Sequence, residues 1–140
     1  MRIVIINGPN LNLTGLREPG HYGSLSFEAF LKTLRKKFPG TTIDYFQSNV
    51  EGEIINKLHE SGFQADGILL NAGGYTHTSV AIGDAVKAIS SPVLEVHMSN
   101  VYAREAFRQK SYIAPAAAGT ITGMALKGYE LGVWYFVSGG

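Results

Sequence analysis

The sequence predicts an α/β fold: a doubly wound, five-stranded parallel sheet covered by helices on both faces, a three-layer α/β/α sandwich. Three observations carry this. Short β-branched runs alternate along the chain with stretches whose apolar residues recur at helical spacing. The first run, Ile3-Val4-Ile5-Ile6, is apolar at every position rather than every second one, as in a strand buried on both faces. The chain has 140 residues, 45% hydrophobic and 16% charged, with no Cys. That length lets folding bury roughly two-thirds of the unfolded surface without a disulfide or metal staple, so residues 1–140 are expected to form a single domain.

Each element has its own justification. The Ile3–Ile6 strand runs into residues 7–23 (NGPNLNLTGLREPGHYG), rich in Gly, Pro and Asn. That stretch is longer than an ordinary strand-to-helix connection, and such loops commonly serve as lids over a site. Phe27, Phe30, Leu31, Leu34 and Phe38 then form one helical stripe, with Lys32, Arg35 and Lys36 opposite and Pro39-Gly40 as the stop. Thr42 to Phe46 reads as the second strand. Ser48-Asn49-Val50-Glu51 fits a capping box for a helix striped by Ile54, Ile55 and Leu58 and ended by Gly62.

Gly67 to Leu70 is the third strand, closed by Asn71-Ala72-Gly73-Gly74. Residues 79–89 form a helix whose Ala81, Ala85 and Ala88 permit close approach to the sheet. Pro92 to Val96 is the fourth strand, Tyr102 to Phe107 a short helix, Ala114 to Ile121 contains the last strand, and Met124 to Phe136 is a closing helix.

Several function classes are excluded early. Twelve Lys and Arg against eleven Asp and Glu give a formal charge of +1, no basic footprint for nucleic acid or an anionic membrane. Without Cys there is no thiol catalysis and no Cys-ligated metal. Four apolar residues after Met1-Arg2 are too few for a signal-peptide core or a bilayer span, so a cytoplasmic location is expected. No GxGxxG follows a strand, and GxxxxGK[ST] and GxSxG do not occur.

In open parallel sheets ligands bind beyond the carboxyl ends of the strands. Three such ends here carry polar clusters: Asn7-Gly8-Pro9-Asn10, Asn71-Ala72-Gly73-Gly74 and Glu95-Val96-His97. Glu95 and His97 are two apart on a strand, so they share a face. A carboxylate beside an imidazole fixes its tautomer and makes it a tuned acid or base; the plainer reading is a surface ion pair on an edge strand. A metal site built from His77, Glu95 and His97 lacks supporting spacing. His77 follows a Gly-Gly turn just before a helix, where Thr78 or Ser79 can be an N-cap and His77 merely solvated. Asp84 shares a face with His77 if the helix begins early enough; otherwise it is a solvated residue.

Arg104 and Arg108, at i and i+4, share a helical face where a bound carboxylate would relieve their repulsion, or they pair with Glu105. Tyr22 beside Arg17 on the long loop could be a base if cations lower its pKa, or simply a packed ring. A non-catalytic module binding a nucleotide or phosphosugar at the same strand ends is the alternative, and a scaffold for assembly is another.

The motifs Gly8-Pro9-Asn10-Leu11-Asn12-Leu13, Arg17-Glu18-Pro19 and Tyr22-Gly23 closely resemble the opening of type II 3-dehydroquinate dehydratases. So do Asn71-Ala72-Gly73, Tyr75 to Ser79, Glu95-Val96-His97, Ser99-Asn100, Ala103-Arg104-Glu105, Phe107-Arg108 and Ser111-Tyr112, in order over essentially the whole chain. The resemblance implies a flavodoxin-like fold and reversible dehydration of 3-dehydroquinate to 3-dehydroshikimate in the shikimate route to aromatic amino acids. It implies no metal, cofactor or Schiff base, and a homododecamer of four trimers. It assigns Tyr22 as base, Arg17 as the lid cation, Asn10 as holder of a water against the enolate oxygen, and His97 as acid oriented by Glu95. It places Asn71, His77, Met98, Ser99 and Arg108 on the substrate, Arg104 near the base, and Asp84 toward a neighbouring subunit's site. Met98, Tyr102 and Thr14 depart from the residues common in the family.

Overall fold

The apolar Ile3–Ile6 run does form the sheet's interior. A computed structural model describes residues 1–16 and 25–140. Strand β1 (Arg2–Asn7) lies between β2 (Thr42–Gln47) and β3 (Gly67–Asn71). Strands β4 (Val93–His97) and β5 (Gly119–Thr122) continue outward from β3. All pairs are parallel and the order is β2-β1-β3-β4-β5, the flavodoxin-like order the sequence predicts. Strand order reverses at β1, so a crevice opens where β1 and β3 end side by side, with Asn7 in register with Asn71.

Alternation along β1 distributes its side chains to two cores. Ile3 and Ile5 pack with helix α1 (Phe27–Lys37) and helix α4 (Lys127–Val137). Val4 and Ile6 pack with helix α2 (Glu51–Ser61) and helix α3 (Val80–Ala88). Phe27, Phe30, Leu31 and Leu34 are all buried, as their spacing requires. Each such side chain contributes about 1.5–3 kcal/mol when removed from water. Ser26 caps α1 by accepting the Ala29 N–H, and Ser79 caps α3 by accepting the Ile82 N–H.

Four local expectations are corrected. Ser48 does not form a capping box with Glu51: its hydroxyl accepts the Val50 N–H and donates to Glu53, while Glu51 accepts from Ser79 at 2.5 Å, tying α2 to the start of α3. The helix expected over Tyr102 to Phe107 is two 3-10 turns, Val101–Ala103 and Ala106–Gln109, because Arg104 and Glu105 adopt extended backbone between them. The last strand, Gly119–Thr122, runs one residue past the Ala114 to Ile121 stretch expected to contain it, and residues Ala114–Ala116 of that stretch form a 3-10 turn. The closing helix starts at Lys127 rather than Met124, since Ala125 has φ of 51° and cannot lie in a right-handed helix.

The sharp turn after β1 depends on Gly8. Its N–H donates to the Asn71 carbonyl at 2.7 Å, and a Cβ there would stand 2.5 Å from the Ala72 carbonyl oxygen. The two strand ends can therefore close onto one another only if this residue has no side chain. Among the described residues no helix is long and apolar enough to cross a membrane.

Candidate active site

A cavity of about 150 Å³ sits over the carboxyl ends of β1, β3 and β4. It is below the roughly 300–1,000 Å³ of drug-sized pockets and suits a small polar molecule. Asn10, Asn71, His77, His97, Met98, Ser99, Arg104 and Arg108 line it.

Glu95 and His97 form the buried floor. Alternation on β4 directs both to the α2/α3 face, and β4 is an interior strand, so the edge-strand ion pair is not what forms. Glu95 Oε2 meets His97 Nε2 at 3.0 Å, with the Glu95 side chain 1% and the His97 side chain 8% exposed. Ser111 donates to the same Oε2 at 2.5 Å, and Thr120 donates to Oε1 at 3.0 Å. Burial pushes the Glu95 pKa up, but the bonds from His97, Ser111 and Thr120 outweigh it and hold the carboxyl below its ordinary value.

His77 closes the 3-10 turn Gly73–His77 that follows β3. Its Nδ1 lies 2.7 Å from the Lys110 carbonyl, which can only accept, so Nδ1 carries the proton and Nε2 is left for the cavity. Burial lowers its pKa, the Lys110 bond opposes this, and repulsion from His97 and Arg108 adds to the lowering. His77 is therefore a neutral ring at pH 7. It stacks on His97 with centroids 6.1 Å apart.

Asn71 is positioned from beneath. Its Nδ2 donates to the Tyr129 hydroxyl at 2.9 Å, its Oδ1 accepts the Gly73 N–H at 3.1 Å, and Tyr129 donates to Asn7 Oδ1 at 2.7 Å. Asn10 has φ of 70°, a conformation Asn tolerates better than other side chains, and its N–H donates to Asn49 Oδ1 at 3.0 Å. On the far wall Arg104 donates to the Ser99 hydroxyl at 3.2 Å, and Arg108 to Glu105 at 2.8 Å.

The constellation invites comparison with known proteins. The family model described as Dehydroquinase class II matches residues 1–137. This chain belongs to the class II dehydroquinase family. It is 50% identical over 136 residues to the 3-dehydroquinate dehydratase of Caldicellulosiruptor bescii, covering 95% of this chain and 94% of that one. It is 51% identical over 132 residues to the 3-dehydroquinate dehydratase of Haemophilus influenzae, covering 92% and 88%. The crystal structure of a type II dehydroquinase from Butyrivibrio crossotus superimposes with a TM-score of 0.93 at 42% identity, covering 98% of this chain and 97% of that one. A type II dehydroquinase from Propionibacterium acnes gives 0.91 at 33% identity, covering 97% and 96%.

Against this dehydroquinase frame, eight of the residues singled out from sequence line one cavity and Glu95 supports it from behind. Asp84 does not join them. The face it was to share with His77 does not exist, because His77 ends a separate turn and Asp84 is exposed on α3. Arg104 and Arg108 share no helical face either, yet both reach the cavity, Arg104 from the extended link between the two turns and Arg108 from the second turn. Arg17 and Tyr22, and residues 17–23 of the expected lid, lie outside the described residues. The departures are spread: Met98 lines the cavity, Thr14 is buried with its hydroxyl on the Leu11 carbonyl at 2.7 Å, and Tyr102 is 65% exposed. Among the described residues no three His, Asp or Glu side chains gather as a metal-binding group.

Sequence reasoning missed the supports. Tyr129 lies on an apolar helix stripe and signals nothing, Thr120 carries no motif in its short strand, and Ser111 enters only as part of a motif. Lys110 acts through its carbonyl, which no side-chain pattern reveals.

Proposed function

We propose that this chain is a hydro-lyase that eliminates water reversibly from 3-dehydroquinate to give 3-dehydroshikimate, in the shikimate route to aromatic amino acids. The buried Glu95–His97 pair at the floor of a cavity lined by cations and amides carries the reading. The chemistry needs a base for the proton beside the ketone, donors for the enolate oxygen, and an acid for the departing hydroxyl. Tyr22 is the base and Arg17 the cation that covers the substrate; of the expected lid over residues 7–23, Asn7 instead ends β1 and Leu11–Leu13 form a 3-10 turn. The electron pair of the broken C–H bond forms the enolate, whose oxygen bears on a water held by Asn10. Collapse of the enolate expels the hydroxyl, which takes a proton from His97 and leaves as water.

Glu95 does not touch substrate. As a carboxylate it accepts from His97 Nε2 and fixes the orientation of the ring. Asn71, the neutral His77, Met98, Ser99, Arg104 and Arg108 hold the substrate, with Arg108 paired to its carboxylate. The family resemblance assigns Arg104 to the surroundings of the base, where a guanidinium favours a phenolate. The cavity's small volume and its mixture of amide, imidazole and guanidinium groups support a small hydroxylated carboxylate over a nucleotide.

Residues 1–140 act as one catalytic domain in the cytoplasm, assembled as a dodecamer of four trimers. Asp84, exposed on α3 and outside its own chain's cavity, reaches the site of a neighbouring subunit. The reaction uses no metal and no cofactor. Ultraviolet absorbance on adding 3-dehydroquinate tests the proposal, because the product's conjugated enone absorbs and the substrate does not. A rise is expected, unchanged by EDTA. A flat trace from folded protein refutes the activity, and EDTA-sensitive turnover restored by a divalent ion refutes the metal-free scheme.

A further inference from the structure

The hydroxyl of Ser111 has one hydrogen and two lone pairs, and every one of them has a place. Its oxygen accepts the Ile113 N–H at 3.1 Å and the Ala114 N–H at 3.0 Å, which occupies both lone pairs. Its single hydrogen must therefore go to Glu95 Oε2, 2.5 Å away. Glu95 Oε2 cannot carry a proton toward Ser111, since nothing there remains to accept it. The same oxygen faces His97 Nε2 at 3.0 Å, so the proton between them belongs to Nε2. Thr120 completes the carboxylate from β5 by donating to Oε1 at 3.0 Å.

We propose that Ser111 is a positioning residue for proton transfer: its hydroxyl, with that of Thr120, holds Glu95 as a pure acceptor, so that His97 keeps a proton on Nε2 and exchanges with substrate through Nδ1. This rests on the reading of His97 as the acid. Ser111 is well placed for the task because the segment around it is stitched on three sides. The Lys110 carbonyl holds His77, the Tyr112 N–H donates to the Thr76 carbonyl at 2.9 Å, and the Tyr112 carbonyl abuts Gly83. Among the described residues, the other charged or titratable groups around the pair are His77, stacked on His97 from the 3-10 turn after β3, and Arg104 and Arg108, which line the cavity that His97 also lines. From β5 the facing group is the uncharged Thr120.

Ser111→Ala, Ser111→Thr and Thr120→Val are compared with the unmodified chain. Dehydration kinetics are read together with 15N spectra of the His97 ring and 13C titration of the Glu95 carboxyl. Ser111→Ala should lower kcat about tenfold with KM within about twofold, since the lost hydroxyl touches no substrate. The Glu95 titration should move to higher pH, because one donor to the charged form is gone. Ser111→Thr should restore both.

A raised KM with unchanged kcat and an unchanged His97 ring signature would show that Ser111 only holds the segment bearing Arg108, and would overturn the proposal. So would a Glu95 titration that does not move. If Ser111→Ala fails to fold, Thr120→Val decides: an upward move of the Glu95 titration supports the proposal and no move refutes it. If the unmodified chain does not dehydrate 3-dehydroquinate, the functional reading falls, while the spectra still decide what Ser111 does to Glu95 and His97.

Discussion

Replacing Glu95 by Gln removes a charge while keeping shape. Gln can present its oxygen to His97 and Ser111 and its amide to Thr120, whose hydroxyl can accept, so the buried site stays hydrogen-bonded. What is lost is the attraction between a carboxylate and a protonated ring. At 3.0 Å and an effective dielectric of about 20, that attraction is about 5 kcal/mol. Mutational comparisons of charged with neutral hydrogen bonds give a smaller net difference, about 1–2 kcal/mol. A value midway, about 3 kcal/mol, corresponds to roughly a hundredfold fall in kcat. KM should hold, because Glu95 is 1% exposed and cannot reach a ligand in the cavity. Steady-state enone absorbance supplies both constants, and circular dichroism checks the fold. A folded variant with kcat within about threefold of the unmodified chain would refute the charge-based account, since the attraction would then be worth less than about 1 kcal/mol.

Other perturbations test different links. Tyr129→Phe should leave Asn7 Oδ1 and Asn71 Nδ2 without their buried partner; at about 1–3 kcal/mol for each of the two groups, a loss of about 2–6 kcal/mol and a Tm drop of roughly 6–18 °C are expected by calorimetry. Gly83→Ala would bring a Cβ to 2.3 Å from the Tyr112 carbonyl oxygen; the segment must shift and carry Arg108 with it, so KM should rise in the kinetic assay, while an unchanged KM would free Arg108 from dependence on that segment. The depressed Glu95 pKa stabilises the fold above the ordinary carboxylate range, and this is lost as pH falls through the folded-state value. Glu95→Gln should therefore narrow the stability difference from the unmodified chain as pH drops below about 4, measured by urea denaturation at a series of pH values. Tyr22→Phe should lower kcat by about two or more powers of ten without changing Tm, as expected of a general base; near-normal turnover would remove Tyr22 from that role.

Most of the sheet was legible in the sequence because parallel strands buried on both faces leave an unbroken apolar signature. Ile3–Ile6 and Gly67–Leu70 each identify themselves that way. Boundaries failed where one residue's backbone decides the outcome. Nothing in the composition of Met124-Ala125-Leu126 announces that Ala125 takes a positive φ, and the extended Arg104-Glu105 pair splits a stretch that spacing alone reads as one helix. The Glu95–His97 pair was legible because strand periodicity puts i and i+2 on one face. Arg104 and Arg108 reached the same cavity for a different reason than the helical spacing offered. Ser111, Thr120 and Tyr129 were illegible because their partners lie 16, 25 and 58 residues away in the chain, brought together only by sheet order.

The floor and the wall of this cavity answer to different thermal events. Beneath that floor, Asn7 and Asn71, cross-linked by the hydroxyl of α4 and by the Gly8 amide, end two interior strands that are buried throughout from Ile3 to Asn7 and from Gly67 to Asn71. Their amide protons should exchange with solvent only when the entire domain unfolds. The wall that carries Arg104 and Arg108 is two short 3-10 turns and the extended link between them, with mostly exposed side chains, and it should exchange by local opening. A ligand pressed between them would add protection almost wholly to the wall, so isotope exchange would display binding on one side of the cavity and global stability on the other.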